Sequence, residues 1–180
     1  MNEKERNRIS RFLSLVLRHK PDEIDLRLDE HGWADVGDLI AKSIVAGKVF
    51  TSQDLEEIVA ANDKQRFAYN EDRSKIRANQ GHSIDVELQL EAKDPPEQLF
   101  HGTVERFLPA IRVKGLLKMN RHHVHMSHDR ATAEKVGERR GEAIILTVRS
   151  EEMNKDGFTF YLSDNGVWLT EHVPVKYINF

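Results

Sequence analysis

The spacing of apolar residues predicts three helices in the first third of the chain. Apolar side chains recur every three or four positions from residue 9 to residue 17, the period of an amphipathic helix. That helix should end near Lys20, because Pro21 cannot continue it. The same period predicts a second helix over residues 36–46 and a third over residues 51–61. We therefore expect a helical amino-terminal segment.

Polar residues at the starts of the second and third helices support these assignments. Asp35 stands where a helix-capping side chain is needed, and Thr51 with Asp54 has the spacing of a capping box. In the second helix, the apolar stripe predicts three inward-facing residues: Leu39, Ile40 and Ile44. The arrangement indicates helices that begin at defined residues.

The period then changes to that of short strands. Residues 67–69 and 75–77 are β-prone and flank a polar turn over residues 70–73, as in a hairpin. Three helices and a hairpin form the outline of a winged helix. The acidic stretch over residues 89–98 contains Pro95 and Pro96, which cannot continue a helix or a central strand. We place a domain boundary there, between residues 94 and 95.

The remaining residues predict a second lobe with mixed elements, so the fold class is α+β. Leu99 to His101 should form a strand that enters a turn at Gly102. The other expected elements are helices over residues 104–114 and 129–138 and strands over residues 123–126, 143–148, 160–162, 167–169 and 173–178. Gly115 should stop the first of these helices, and the pair at 165–166 should form a turn.

Composition restricts the chemistry more than it identifies it. The net charge of -3 does not indicate a nucleic-acid partner. The lack of cysteine excludes disulfides, thiolate nucleophiles and cysteine-bound zinc. We find neither an apolar run long enough to span a membrane nor a secretory signal, so we expect a cytoplasmic protein with no membrane partner.

Histidines are concentrated in one segment of the second lobe, at positions 122, 123, 125 and 128. Strand alternation places Arg121, His123, His125 and Ser127 on one face, which predicts a polar pocket. The main alternative is a zinc hydrolase, because the spacing His-x-His-x-x-His approaches a metal-ligand pattern. Ser127 replaces the aspartate of that pattern, and we favour anion or nucleotide binding without a metal.

Three other groups of polar residues indicate a function only when they are considered together. Arg18 and His19 fall at a helix carboxyl terminus, where the dipole alone can explain two cations. Arg77 precedes a polar turn. The sequence His101-Gly102-Thr103 puts an imidazole, a flexible residue and a hydroxyl at a strand end, where backbone NH groups can approach a ligand.

Taken together, these residues resemble the RNA 2′-phosphotransferase family, whose members remove the splice-junction 2′-phosphate in fungal tRNA splicing. The resemblance covers nearly the whole chain, and the order and spacing of its segments are specific. It rests on residues 12–21, 32–34, 64–67, 76–83, 101–103, 121–127 and 166–169. Met126 is a conservative departure from the usual leucine.

The resemblance implies an architecture and a reaction. The fold would join a winged-helix lobe over residues 1–94, which binds RNA, to an ADP-ribosyltransferase-like lobe over residues 95–180, which binds NAD. The reaction would transfer an internal RNA 2′-phosphate to NAD, which is consumed. The products would be 2′-hydroxyl RNA, ADP-ribose 1″,2″-cyclic phosphate and nicotinamide, formed through an ADP-ribosylated RNA intermediate. We expect a monomer.

The resemblance also implies site residues. Its catalytic Arg-His-Arg-Arg set corresponds to Arg18, His19, Arg77 and Arg121. Its NAD-binding residues correspond to a set shared by two strand ends: His101, Gly102, Thr103, His125 and Ser127. Val167 stands where many ADP-ribosyltransferases have a glutamate. His19 could transfer a proton or bind phosphate, and both roles remain open.

A second alternative is a winged-helix regulator that binds duplex DNA and senses a nucleotide. Its recognition helix would need cations to contact phosphates. The second predicted helix has one lysine, and the third has neither lysine nor arginine. The sequence therefore favours the enzyme.

Overall fold

The computed structural model describes residues 1–62 and 64–180. Contacts among them divide the chain into two compact units, Met1–Gln89 and Leu90–Phe180. This division lies five residues before the boundary that the prolines predict. Residues 90–94 belong with the second unit, because Lys93 N donates to Phe160 O (2.9 Å) and Ala92 pairs with Tyr161.

The first unit contains the three predicted helices: α1 (Glu3–Arg18), α2 (Val36–Val45) and α3 (Ser52–Ala60). Helix α1 begins earlier than its apolar stripe, since Asn2 and Glu5 form a capping box there. Asp35 caps α2 by accepting from Asp38 N at 2.8 Å, and Thr51 forms a capping box with Asp54. The capping predictions are confirmed.

A small sheet packs with these helices. Its strands are β1 (Ala34–Asp35), β2 (Phe67–Tyr69) and β3 (Lys75–Ala78), in the antiparallel order β1-β3-β2. The predicted hairpin is β2 and β3, with Phe67 opposite Ala78. One apolar core joins the sheet to the helices, with Leu13, Leu17 and Ile76 fully buried.

One inward-facing assignment in α2 is wrong. Ile44 is about half exposed, whereas Ser43 is fully buried. The apolar residues of this ten-residue helix therefore extend beyond the stripe that the core covers.

The second unit contains β4 (Leu99–Thr103), α4 (Leu108–Lys114), β5 (Leu116–Leu117), β6 (Val124–Met126), α5 (Arg130–Gly137), β7 (Ile144–Val148), α6 (Ser150–Lys155), β8 (Phe160–Leu162), β9 (Trp168–Thr170), β10 (His172–Val173) and β11 (Ile178–Asn179). Its antiparallel sheets have the orders β11-β7-β4, β6-β9-β8 and β10-β5. A bridge between Phe100 and Ser127 brings β4 beside the end of β6. The apolar core of the second unit includes Leu99, Leu146 and Phe160, all fully buried.

Two local predictions in this unit are wrong. Gly102 does not turn the chain, because β4 continues through it to Thr103. The expected final strand over residues 173–178 is interrupted, since Pro174 precedes a short 3-10 helix, Val175–Tyr177, between β10 and β11. Among the residues that the structure describes, no helix is long and apolar enough to cross a membrane.

Candidate active site

Arg18 and His19 stand at the end of helix α1, where Ser83 of a later loop contacts the backbone of Arg18 and the side chain of His19. The Arg18 carbonyl accepts from Ser83 N at 2.9 Å, and His19 Nδ1 lies 2.8 Å from Ser83 Oγ. Arg18 is half-buried, with its Nε and Nη2 atoms shielded from solvent. The same serine thus holds the Arg18 backbone and the His19 ring.

Arg77 lies on β3 of the same unit, with its guanidinium over the ring of Trp33. The guanidinium carbon is 4.5 Å from the ring centroid, within the range of a cation–π contact. Stacking restricts the plane of the guanidinium while its edges keep their donor geometry. Trp33 belongs to the segment 32–34, on which the family resemblance partly rests, but the sequence did not predict its contact with Arg77.

In the second unit, a chain of hydrogen bonds links His101, His125 and Arg121. His101 Nδ1 lies 2.8 Å from the His125 carbonyl oxygen, which can only accept, so Nδ1 carries a proton. Burial lowers the pKa of His101, and the charge of Arg140 acts in the same direction. The imidazole is therefore neutral near pH 7, and its Nε2 atom is a hydrogen-bond acceptor.

The contact of Arg121 sets the tautomer of the second histidine. Arg121 Nη1 is 3.0 Å from His125 Nδ1, and because a guanidinium can only donate, this nitrogen accepts. A neutral His125 then carries its proton on Nε2. The structure thus brings together Arg121 and His125, as strand alternation predicted, although Arg121 itself precedes β6 in an irregular turn.

The remaining predicted NAD-binding residues lie on the adjoining strands. Two backbone hydrogen bonds join Ser127 to Phe100: Ser127 N donates to Phe100 O at 2.8 Å, and Phe100 N donates to Ser127 O at 2.9 Å. Ser127 therefore lies beside the start of His101-Gly102-Thr103. Thr103 is buried at the end of β4. Gly102 has a packing reason for its small size: a Cβ built on it would be 1.8 Å from the Ala133 carbonyl oxygen of α5.

Two arginines near this cluster were missed from the sequence. Burial lowers the pKa of Arg121, and the charges of Arg140 and Arg139 lower it further, which places three guanidiniums within electrostatic reach of one another. The Arg140 guanidinium carbon also lies 5.7 Å from the Phe107 ring centroid. A pair of arginines after a helix usually marks a solvated end, so only the packing of α5 on β4 reveals this concentration of charge.

The histidines of the zinc-like pattern have separate partners. The His123 ring meets Tyr161 edge to face at 5.5 Å, and His128 Nε2 is 3.3 Å from an Asp129 carboxylate oxygen. His125 is the histidine that contacts Arg121 and His101. Within residues 1–62 and 64–180, no group of three or more histidine, aspartate or glutamate side chains is placed to hold a metal.

Comparison with known proteins identifies the family. The model of the RNA 2′-phosphotransferase, Tpt1 / KptA family matches residues 4–172. A probable RNA 2′-phosphotransferase of Flavobacterium johnsoniae is 58% identical over 180 residues, covering 100% of this chain and 99% of the relative. Proteins of the same description from Burkholderia pseudomallei and Streptomyces coelicolor are 53% and 50% identical, each over 96% of this chain and 94% of the relative. The chain belongs to the RNA 2′-phosphotransferase family.

Proposed function

We propose that this transferase moves an internal 2′-phosphate from RNA to NAD. The products are 2′-hydroxyl RNA, ADP-ribose 1″,2″-cyclic phosphate and nicotinamide, and the RNA is ADP-ribosylated between the two chemical steps. Family membership supports the removal of a 2′-phosphate from RNA. The observation that carries the NAD proposal is the His101–His125–Arg121 chain, which sets an imidazole acceptor and a guanidinium in one cluster.

The residues of this cluster fit the donors and acceptors that NAD presents. The neutral His101 offers Nε2 to a ribose hydroxyl, and the hydroxyls of Thr103 and Ser127 lie on the adjoining strand ends. Arg121, Arg139 and Arg140 supply positive charge for a pyrophosphate or a phosphoryl group. When bound, NAD supplies a ribose carbon that becomes electrophilic as its bond to nicotinamide loosens.

Arginines suit the other substrate, a dianionic phosphate. Such a phosphate is already a nucleophile, so the first step needs it to be held in line and requires no general base. In the second step a neighbouring ribose hydroxyl attacks phosphorus and expels the RNA 2′-oxygen. Charge then grows on the phosphoryl oxygens, where Arg18, Arg77 and Arg121 stabilise it.

His19 assists this second step in one of two ways, as a proton donor to the leaving RNA oxygen or as a further phosphate donor. Ser83 supports either role, because its hydroxyl at 2.8 Å holds the His19 ring by Nδ1. This contact restricts the orientation of the imidazole, as either role requires. His19→Arg separates the two roles, because a guanidinium binds phosphate but stays charged and does not transfer a proton.

The proposal extends to the architecture. The three helices and the β2–β3 hairpin support a winged-helix lobe that binds RNA, and the antiparallel sheets around His101 and His125 support an ADP-ribosyltransferase-like lobe. Each lobe supplies part of the arginine set.

Arg66 is the comparison that tests the assignment of Arg77. It directly precedes β2, is half-buried, and accepts through its backbone from Asn79, two residues beyond Arg77. We expect Arg77→Ala to slow turnover more than Arg66→Ala does. The reverse order would assign Arg77 to packing on Trp33 and Arg66 to the phosphate.

The function is tested by incubating the protein with RNA that bears an internal 2′-phosphate, with and without NAD. We expect loss of the phosphate only when NAD is present, and activity that persists in EDTA because guanidiniums stabilise the phosphoryl charge. Activity that EDTA abolishes and zinc restores would instead support the metallo-hydrolase alternative.

A further inference from the structure

Arg121 lies in the irregular loop over residues 118–123, which joins β5 to β6. We call it the Arg121 loop. Arg121 N donates to the Lys118 carbonyl at 3.0 Å, and this hydrogen bond closes a turn. Met119 within the turn has a φ of 53°, in the left-handed region that residues other than glycine seldom adopt. The backbone of Arg121 is therefore tied to the position of Lys118.

One residue of the neighbouring segment lies across from both ends of this loop. Strand β10 pairs with β5, with His172 opposite Leu117. Strand β9 pairs with β6, with Thr170 opposite Val124. Glu171 is the residue between these two pairings. The loop thus leaves β5 on one side of Glu171 and enters β6 on the other.

The backbone on the β10 side is closely packed. A Cβ on Gly115, which directly precedes β5, would be 2.1 Å from the Val173 carbonyl oxygen. His172 Nε2 lies 3.1 Å from the Lys114 carbonyl oxygen, and because a carbonyl only accepts, the imidazole donates this hydrogen bond. Glu171 therefore projects from a firmly held segment, whereas most of the Arg121 loop is exposed.

The Glu171 carboxylate is paired with the first residue of the loop. Lys118 Nζ donates to Glu171 Oε1, and this hydrogen bond lowers the pKa of Glu171. Glu171 is therefore an anion at neutral pH. Farther along the loop, Arg121 Nη1 donates to His125 Nδ1 at 3.0 Å. The loop is thus held at its start by an ion pair and at the guanidinium by an imidazole.

We propose that Glu171 and Lys118 are positioning residues for Arg121. Glu171 holds the Lys118 side chain, and the Lys118 carbonyl holds the Arg121 backbone. The guanidinium is thereby kept beside His125, where it serves the phosphoryl group. This proposal rests on the proposed function, because it takes the phosphoryl group to be what Arg121 stabilises. Glu171 and Lys118 themselves act without touching the substrate.

The exposure of the ion pair sets the size of the expected effect. The Lys118 side chain is 43% exposed and that of Glu171 is 70% exposed. An exposed ion pair biases an equilibrium by at most about fivefold. Glu171→Met and Lys118→Met should therefore each slow the second chemical step by roughly twofold to fivefold. The loss of the Arg121 side chain itself should slow that step far more.

The direction of the two effects separates positioning from a simple effect of charge. If both residues acted only through their charge, removing the anion would favour phosphate and removing the cation would disfavour it. Positioning instead predicts that both variants slow the step, and that the double variant is no slower than either single one. The measurement is the single-turnover rate at which 2′-hydroxyl RNA forms after nicotinamide release, at saturating NAD.

Two further comparisons test whether the pair acts through Arg121. Glu151→Met breaks another exposed ion pair of the second unit, with Lys155 of α6 at 3.3 Å, and it should keep the wild-type rate. In a protein that already carries Arg121→Ala, Glu171→Met should slow the step no further, because the group that it positions is gone. A further loss in that background would assign Glu171 to another role and overturn the proposal.

The ring of His125 gives a readout that needs no activity. Nitrogen NMR should show an unprotonated Nδ1 in the wild type, and Glu171→Met and Lys118→Met should both move its shift part of the way toward the value in Arg121→Ala. Opposite changes in rate, or a wild-type rate with a wild-type ring shift in both variants, would overturn the proposal. If the wild-type protein does not act on 2′-phosphorylated RNA, the proposed function is wrong, and the NMR comparison alone decides whether the pair positions Arg121.

Discussion

His101 is the residue whose protonation state the structure fixes most directly. Its Nδ1 atom donates to the His125 carbonyl, and burial lowers its pKa below the ordinary value of 6.5. A protonated His101 would bury a charge and would turn Nε2 from an acceptor into a donor. The neutral form is therefore the one that can accept from a ribose hydroxyl.

The lowered pKa of His101 predicts a loss of stability in acid. The unfolded chain binds the proton more tightly than the folded one, so the contribution of His101 is fully present above pH 6.5. It declines as the pH falls below 6.5 toward the folded value. His101→Gln keeps a donor for the His125 carbonyl but does not titrate. The difference in unfolding free energy between wild type and variant, measured by denaturant from pH 7.5 to 5, should therefore change with pH.

A flat difference over that range would show that His101 titrates alike in both states. An NMR titration of its ring with a midpoint at or above 6.5 would contradict the lowered pKa.

At the residue scale, the sequence offered candidate site residues but did not reveal most of their contacts. Arg121 and His125 lie together, as alternation predicted, although Arg121 stands in a turn before β6 and not in the strand itself. The contacts of Arg77 with Trp33 and of His19 with Ser83 join residues 44 and 64 positions apart, so no local pattern could reveal them. Arg139 and Arg140 were missed for the same reason.

At the scale of elements, the close packing of α5 on β4 shapes the second unit. Gly102 and Gly137 meet where the helix crosses the strand: a Cβ on Gly137 would be 3.1 Å from the Thr103 carbonyl oxygen. This contact brings the end of α5, and the arginines that follow it, close to His101 and Thr103. The glycine of the His-Gly-Thr segment thus positions the charged cluster through packing.

We predict that Gly102→Ala destabilises the protein by about 1–3 kcal/mol or more, because the new methyl group would overlap backbone atoms that cannot rotate away. Gly37→Ala is the matched control. Its Cβ would meet a side-chain oxygen of Asp35 at 3.2 Å within helix α2, so stability should change by less than about 1 kcal/mol. Denaturant unfolding of both variants measures the effect, and an unchanged midpoint for Gly102→Ala would contradict the packing account.

Elements with local signals were predicted, and elements that depend on distant partners were not. The caps at Asp35 and Thr51 are short-range hydrogen bonds, and both helices begin where those residues indicate. Helix α6 was missed because five of its six residues are polar, with only Ser150 and Met153 buried. Strands β5 and β10 have two residues each and exist through their pairing with one another.

At the scale of the whole molecule, the residues proposed for catalysis are divided between the two units. Arg18, His19 and Arg77 belong to the first unit, and Arg121 belongs to the second with the proposed NAD-binding residues. If Arg121 stabilises charge that develops on the same phosphoryl group, its loss should affect the second chemical step most. Removing one donor aimed at developing charge typically slows a step by on the order of a hundred- to a thousandfold.

The most direct measurement is a time course of end-labelled 2′-phosphorylated RNA with Arg121→Ala, resolved on a denaturing gel beside nicotinamide release. The account predicts an RNA species of reduced mobility that requires NAD, with nicotinamide released before 2′-hydroxyl RNA forms. Arg112→Ala, which removes an exposed arginine of α4 that lies over Phe180, should accumulate no such species. If Arg121→Ala loses nicotinamide release and product formation in parallel, with no intermediate at any time, Arg121 does not act in the second step and the account is contradicted.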